Sequence, residues 1–308
     1  MSNALSEFIW FDGTLVPWDE AQVHVSAHAL HYGSSVFEGI RAYETRRGPA
    51  VFCLQGHLAR LFASCKMFRM DLPYTAEALG QAICQTIRAN RHRSCYIRPL
   101  VFRGSGAFRL DPRQSPIHTV ILTFEWGRYL GDGVETGVDV AVSSWRRAAP
   151  STGVPMAKIS GQYVTSQFMT MEAVDNGFVE AVTLDAYGYL SEGSGENLFV
   201  VKDGVLYTPP WAAALLPGIT RQCVIQLAKD LGLEVEVQIL PREILYVADE
   251  AFFTGTAVEI TPIRSVDRIP VGEGRPGPIT RKLQDAFFGI LSGELEDRHG
   301  WLTPVGEG

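Results

Sequence analysis

With 308 residues, 46% hydrophobic and 20% charged, the chain is longer than one hydrophobic core comfortably fills, and two domains are expected. A formal net charge of −7 argues against a nucleic-acid groove or an anionic membrane surface as partner, while leaving room for a local basic pocket that holds a small anion. No apolar run has the length of a membrane span, and the opening MSNALSEFIWFDG lacks the basic-then-apolar layout of a secretory signal, so a soluble cytoplasmic protein acting on small molecules is expected.

There is no internal repeat, low-complexity tract or charged tail. Residues 36–43 (VFEGIRAY) alternate as a strand, 57–69 and 77–90 carry helical apolar spacing, and 95–102 and 118–124 read as strands. This makes a smaller N-terminal α/β domain over 1–125. The glycines and aromatics of WGRYLGDGVETG (126–137) suggest a connector rather than an element. Beyond it, strands are predicted at 138–143, 180–184, 197–201 and 234–239, with helices near 160–175, 219–231 and 279–293. The larger C-terminal domain, 138–308, is therefore also mixed α/β.

Five cysteines without a C-x-x-C read as reduced core residues. Of the 27 basic residues only five are lysines, which shortens the search for a reactive amine. Lys66 and Lys282 fall in amphipathic helices, Lys229 near a helix end, and Lys202 in the turn Lys202-Asp203-Gly204, all surface contexts. Lys158 differs. Its stretch GVPMAKISGQY has no acidic partner and leads into a helix, which suits either a sequestered amine or a lysine snorkelling at a helix start.

Four further features stand out. SEGSGENLF (191–199) places two carboxylates at a glycine-rich bend before a strand; it is ordinary turn chemistry, or a carboxylate able to keep a pyridine nitrogen protonated. LPGIT (216–220) opens a helix and TGTA (254–257) follows an apolar strand, both settings where backbone N–H groups bind anions, although a threonine there can be only a cap. Tyr96 and Arg98 share a strand face, and an arginine between Ile97 and Pro99 needs an anion, either a bound one or an internal carboxylate. His24, His28 and His31 have a spacing that could gather a metal on a helix, but Val23 and Val25 alternate like a strand and no carboxylate or cysteine completes the set.

Taken together, HALHYGSSVFEGIRAY (28–43), GHLARL (56–61), YIRPL (96–100), SSWRRAAP (143–150), AKISGQY (157–163), SEGSGENLF, LPGITR (216–221) and FTGTAVEITPI (253–263) resemble the branched-chain amino acid aminotransferases. These are class IV, fold-type IV pyridoxal-phosphate enzymes, and the likeness spans nearly the whole chain. It implies a two-domain α/β fold whose C-terminal domain is pseudobarrel-like. It implies pyridoxal 5′-phosphate as cofactor, carried by Lys158, with Tyr163 as partner of its phenolic oxygen and Glu192 on its ring nitrogen. Arg60, the backbone of Ile219 with Thr220, and Thr256 would cradle the phosphate.

For substrate, the resemblance implies that Tyr96 and the backbone of Thr256 and Ala257 hold the α-carboxylate. Arg98, with Tyr32 and Tyr129, would meet the distal carboxylate of glutamate or 2-oxoglutarate. Phe37, Tyr32, Trp126, Tyr129 and Tyr163 would wall an apolar pocket, with Gly39 allowing close approach beneath the substrate. The activity implied is reversible ping-pong amino transfer from leucine, isoleucine or valine to 2-oxoglutarate, in a homodimer or larger homo-oligomer with shared sites. In the family the loop at 103–110 reaches the neighbouring subunit's pocket, which implies Leu110 as a pocket residue, although residues 103–110 here depart from the family pattern. Ile159 and Ser160 replace a smaller pair, and the C-x-x-C of some members is absent. Same-fold rivals are D-amino-acid aminotransferase and aminodeoxychorismate lyase; different classes are a silent cofactor binder and a histidine metalloenzyme.

Overall fold

A computed structural model describes residues 6–106, 108–127 and 129–306. Ala107 in the 103–110 loop and Arg128 in the connector lie outside the described residues. The chain divides into two compact units, Met1–Trp126 with Ala157–Gln162 and Ile290–Gly308, and Gly127–Met156 with Tyr163–Gly289.

The first unit begins with the hairpin β1 (Phe8–Phe11) and β2 (Thr14–Pro17), then α1 (His28–Tyr32), β3 (Ser35–Phe37), β4 (Ile40–Thr45) and β5 (Gly48–Phe52). Helices α2 (Leu54–Met67) and α3 (Ala76–Ala89) follow, then β6 (Cys95–Arg103) and β7 (Ile117–Phe124). The strands make an antiparallel sheet in the order β5-β4-β6-β7-β1-β2, with β3 also on β6. Thr75 caps α3 by accepting from the Ala78 N–H at 3.1 Å. Leu79, Ile83 and Ile87 are all buried one turn apart on that helix, each worth about 1.5–3 kcal/mol relative to exposure. The buried stripe of α2 carries Leu54, Leu58 and Leu61 together with two polar residues, His57 and Ser64.

The single strand expected over 36–43 is interrupted. Phe37 lies opposite Leu100 and Ile40 opposite Ile97, so the register runs on unbroken past Glu38 and Gly39. The Glu38 N–H donates to the Pro99 carbonyl at 2.9 Å, but proline has no N–H to return the bond. The Phe37 N–H, on the edge of β3 away from β6, donates to the Lys158 carbonyl at 3.1 Å.

The second unit contains α4 (Gly133–Thr136), β8 (Val138–Arg146), α5 (Tyr163–Asp175), β9 (Glu180–Leu184), β10 (Leu190–Gly193), β11 (Asn197–Lys202) and β12 (Val205–Thr208). It continues with α6 (Ile219–Asp230), β13 (Val235–Val237), α7 (Ile244–Val247), β14 (Glu250–Gly255), β15 (Glu259–Val266), β16 (Ile269–Pro270) and α8 (Pro278–Ser292). Strands β10-β9-β8-β15-β14-β11 follow one another, and β10 also pairs with β11, which closes a ring of six. The pair that closes it is Glu192 opposite Asn197. This is the pseudobarrel expected, filled by Val140, Val182, Leu198, Val200, Phe253 and Ile263. The predicted connector holds the helical turn α4, and the strand expected over 234–239 is only β13. It pairs with β12 alone at the sheet's edge, where short strands limit unwanted pairing.

Two excursions return the chain to the first unit. Ile159 bridges Val36, the Lys158 N–H donates to Ser64 Oγ at 3.0 Å, and the Gly161 N–H donates to the Gly33 carbonyl at 3.3 Å. Near the C-terminus, β17 (Leu302–Pro304) adds itself antiparallel to β5. No helix among the described residues is long and apolar enough to cross a membrane.

Candidate active site

In the first unit, the interrupted strand sends three consecutive residues to three tasks. Phe37 presents its ring to the Lys158 amine and to the Arg98 guanidinium, each 4.7 Å from the ring centroid. Gly39 leaves the space that the Tyr96 hydroxyl fills, since a Cβ at residue 39 would lie 1.9 Å from that oxygen. Glu38, fully buried, accepts from Arg60 Nε and Nη2 at 2.7 and 2.9 Å and from His57 Nδ1 at 2.8 Å. Burial raises the Glu38 pKa, but the Arg60 and His57 interactions outweigh it and hold the carboxyl far below the usual range. Burial also lowers the His57 pKa against the pull of Glu38, so His57 is neutral and donates through Nδ1.

Lys158 is half-buried, whereas Lys66, Lys229 and Lys282 are exposed and Lys202 pairs with Asp203 and Asp249. Arg98 is half-buried on β6, and its Nη2 donates to the Tyr96 hydroxyl at 3.3 Å. The alternative of an internal salt bridge is absent: Arg98 pairs with no carboxylate among the described residues, and its buried Nε has no hydrogen-bond partner. Trp126, just after β7, sets its ring edge against Tyr96 at 4.6 Å between centroids.

Tyr32 ends α1 and is 44% exposed, and Leu110 in the loop after β6 is 83% exposed. The three histidines tie this region together rather than converge on a metal. His24 bonds Ser26, His28 bonds Ser34 at 2.6 Å and the Arg109 carbonyl at 2.9 Å, and His31 bonds the Val25 carbonyl. The His28 ring also packs, tilted by 39°, against Tyr32 at 4.5 Å between centroids.

In the second unit, the donors that hold Glu192 on β10 include Arg147 Nη2 at 2.6 Å, Asn197 Nδ2 at 3.0 Å and the Leu216 N–H at 3.1 Å. Such donors fix an anionic carboxylate in direction. Asn197 also donates to the Leu216 carbonyl at 2.9 Å, and its amide oxygen packs where a side chain on Gly218 would stand. Gly218 is the N-cap of α6 without a side-chain cap, and the first turn, Ile219 and Thr220 included, carries no acid. Uncapped N–H groups there suit a phosphate. Thr256 and Ala257 occupy the turn between β14 and β15, and nearby Thr254 Oγ1 is buried without a partner. Tyr163 opens α5 and, with Tyr129, Ser166, Thr170, Ser194 and Glu196, lines a cleft of about 440 Å³.

Glu38, His57, Arg147 and Asn197 hold the charged groups of the site without standing out by local pattern, although all four lie in the stretches that carry the resemblance. The usable signal was polarity on a buried stripe: His57 shares the apolar face of α2.

A family model for amino-transferase class IV matches residues 35–266. The branched-chain-amino-acid aminotransferase of Salmonella typhimurium is 51% identical over 307 residues, 99% of each chain. The chain belongs to the class IV aminotransferases, in the branched-chain amino acid aminotransferase family. The crystal structure of the Escherichia coli branched-chain amino acid aminotransferase matches with a TM-score of 0.96 and 51% identity, over 98% of this chain and 100% of that one. The T.th. branched-chain amino acid aminotransferase complexed with N-(5′-phosphopyridoxyl)-L-glutamate matches with a TM-score of 0.92 and 44% identity, over 98% of this chain and 99% of that one.

Class IV aminotransferases use pyridoxal phosphate, and this member's donor set fits that group. The first unit offers a half-buried amine and an arginine held in a fixed direction. The second offers an oriented carboxylate and an uncapped helix start.

Proposed function

We propose that the chain reversibly transfers the amino group of leucine, isoleucine or valine to 2-oxoglutarate, with Lys158 as the reactive amine. The observation that carries this reading is Arg98: a half-buried guanidinium with no carboxylate partner among the described residues, lying over the Phe37 and Tyr96 rings at 4.7 and 5.2 Å. An arginine kept in such a setting suits a substrate carboxylate, while Phe37 and Trp126 offer apolar walls to a branched side chain.

Pyridoxal phosphate, when bound, supplies an aldehyde for the substrate amine and an electron-withdrawing ring. Lys158 Nζ would take the proton from the substrate α-carbon. Glu192 holds a proton on the ring nitrogen, and the Tyr163 hydroxyl donates to the ring's phenolic oxygen. Arg60, the N–H groups of Ile219 and Thr220, and Thr256 bind the phosphate. Tyr96 with the N–H groups of Thr256 and Ala257 holds the α-carboxylate. Arg98, with Tyr32 and Tyr129, holds the distal carboxylate of glutamate, and Gly39 serves by making room for Tyr96.

The exposure of Tyr32 and Leu110 supports a homo-oligomer in which they reach a neighbouring copy's pocket. Five cysteines without a C-x-x-C support a reducing compartment, the cytoplasm. A panel of L- and D-amino acids with 2-oxoglutarate tests the activity. Turnover of the L-branched-chain set is expected, and turnover of D-amino acids alone would overturn the reading.

A further inference from the structure

We propose that Glu38 is a positioning residue for cofactor binding: its buried carboxylate, fixed by His57, aims the Arg60 guanidinium at the phosphate. This rests on the reading of Arg60 as a phosphate ligand.

A guanidinium has two edges able to make paired hydrogen bonds, and Glu38 takes the one formed by Nε and Nη2. The direction of the second edge, Nη1 with Nη2, is thereby set. The carboxylate is itself immobile. His57 Nδ1 and the Gly39 N–H both donate to Oε2, at 2.8 and 3.2 Å, and its backbone N–H is tied to Pro99 at 2.9 Å. Stability alone does not account for the arrangement, because burying such an ion pair costs about as much solvation as the attraction returns. Its placement argues for a functional role. Glu38 stands between Phe37, whose ring faces the Lys158 amine, and Gly39, which accommodates Tyr96. The same tripeptide therefore orders the amine, the arginine and the tyrosine hydroxyl.

Replacing Glu38 by Gln puts the amide N–H against an Arg60 donor in either orientation, Nε at the Oε1 position or Nη2 together with His57 Nδ1 at the Oε2 position, and turns the guanidinium away. The test uses the full-length chain as wild type, E38Q, E38D, R60A and E38Q/R60A. Affinity for pyridoxal 5′-phosphate and for pyridoxal, which lacks the phosphate, is measured by equilibrium dialysis. E38Q is expected to weaken the phosphorylated ligand by roughly tenfold or more while pyridoxal affinity stays within about twofold, as for loss of a charged hydrogen bond made only to phosphate. E38D, one methylene short, falls between wild type and E38Q, and serves as the deciding variant if E38Q does not fold. The double variant binds no more weakly than R60A, the non-additivity of residues acting as a unit.

If E38Q, or E38D in its place, keeps the wild-type preference for the phosphorylated ligand, or weakens both ligands equally, the positioning role is wrong while the phosphate role of Arg60 stands. If R60A itself keeps the preference, Arg60 is not the phosphate ligand and both readings fall.

Discussion

The Tyr96 hydroxyl occupies the space above residue 39, where a Cβ would approach it to 1.9 Å. Gly39→Ala must therefore displace the ring or the strand, at a cost of about 1–3 kcal/mol for overpacking. If Tyr96 holds the α-carboxylate, KM is expected to rise for every amino acid alike, and steady-state kinetics with leucine and glutamate checks this. A change confined to one substrate would show that Tyr96 reads the side chain instead.

Lys158→Ala is expected to abolish turnover and the visible absorbance of the bound cofactor, because the remaining lysines are exposed or ion-paired. Absorbance spectra before and after borohydride treatment give the readout. Full activity in this variant would transfer the reactive role elsewhere.

Arg98→Ala removes the half-buried guanidinium without orphaning a carboxylate among the described residues. Glutamate should lose roughly 10- to 100-fold in kcat/KM, the range of a charge-assisted hydrogen bond, while leucine changes little. Competition between the two amino acids measures the split.

Glu250 caps α8, accepting from the Ile279 and Thr280 N–H groups at 2.9 and 2.7 Å and from Thr280 Oγ1 at 2.6 Å. Glu250→Ala is expected to cost about 1–2 kcal/mol in chemical denaturation, as for loss of a good cap. A Cβ on Gly277 would lie 2.1 Å from the Glu250 carboxyl carbon, so Gly277→Ala should disturb the same cap, and the two costs should not add.

His57 has a folded-state pKa below its ordinary value of 6.5. Below that pH the unfolded chain gains a proton that the folded chain does not, and stability falls as the solution is acidified. Glu38, whose pKa is also lowered, contributes stability that is present above its ordinary value of 4.5 and is lost as pH falls through the folded-state value. Urea unfolding between about pH 7.5 and about pH 5 should show a smaller acid loss in His57→Gln than in wild type. Some slope persists, because burial lowers the pKa of His92 as well. An unchanged slope would mean that His57 titrates alike in both states.

The long periodic elements were legible in the sequence: α3 through Leu79, Ile83 and Ile87, and β6 and β7 through their apolar runs. The four-residue strands β1, β10 and β12 were not, since so few residues carry too little periodicity to distinguish them from loops. Lys158 differs from the other four lysines in its context, and the bend at 191–199 offers two carboxylates, but the roles of Lys158 and Glu192 are implied by the family resemblance alone. Glu38 was hidden because a polar residue between apolar neighbours in a strand reads as solvent-facing, and only the fold shows α2 covering that side. The interruption opposite Pro99 needed knowledge of which strand faces which, which no local pattern supplies.

The excursion of Ala157–Gln162 separates structural boundaries from sequence boundaries. A chimera joined to a relative at residues 126 and 127 would combine one parent's first unit with the other parent's 157–162 segment. The native bonds from Lys158 to Ser64, from Gly161 to Gly33 and from Phe37 to the Lys158 carbonyl would then be asked of residues with different histories. Recombination that respects the units must make its crossovers on both sides of that segment, so that the lysine is inherited with the strand and helix that hold it.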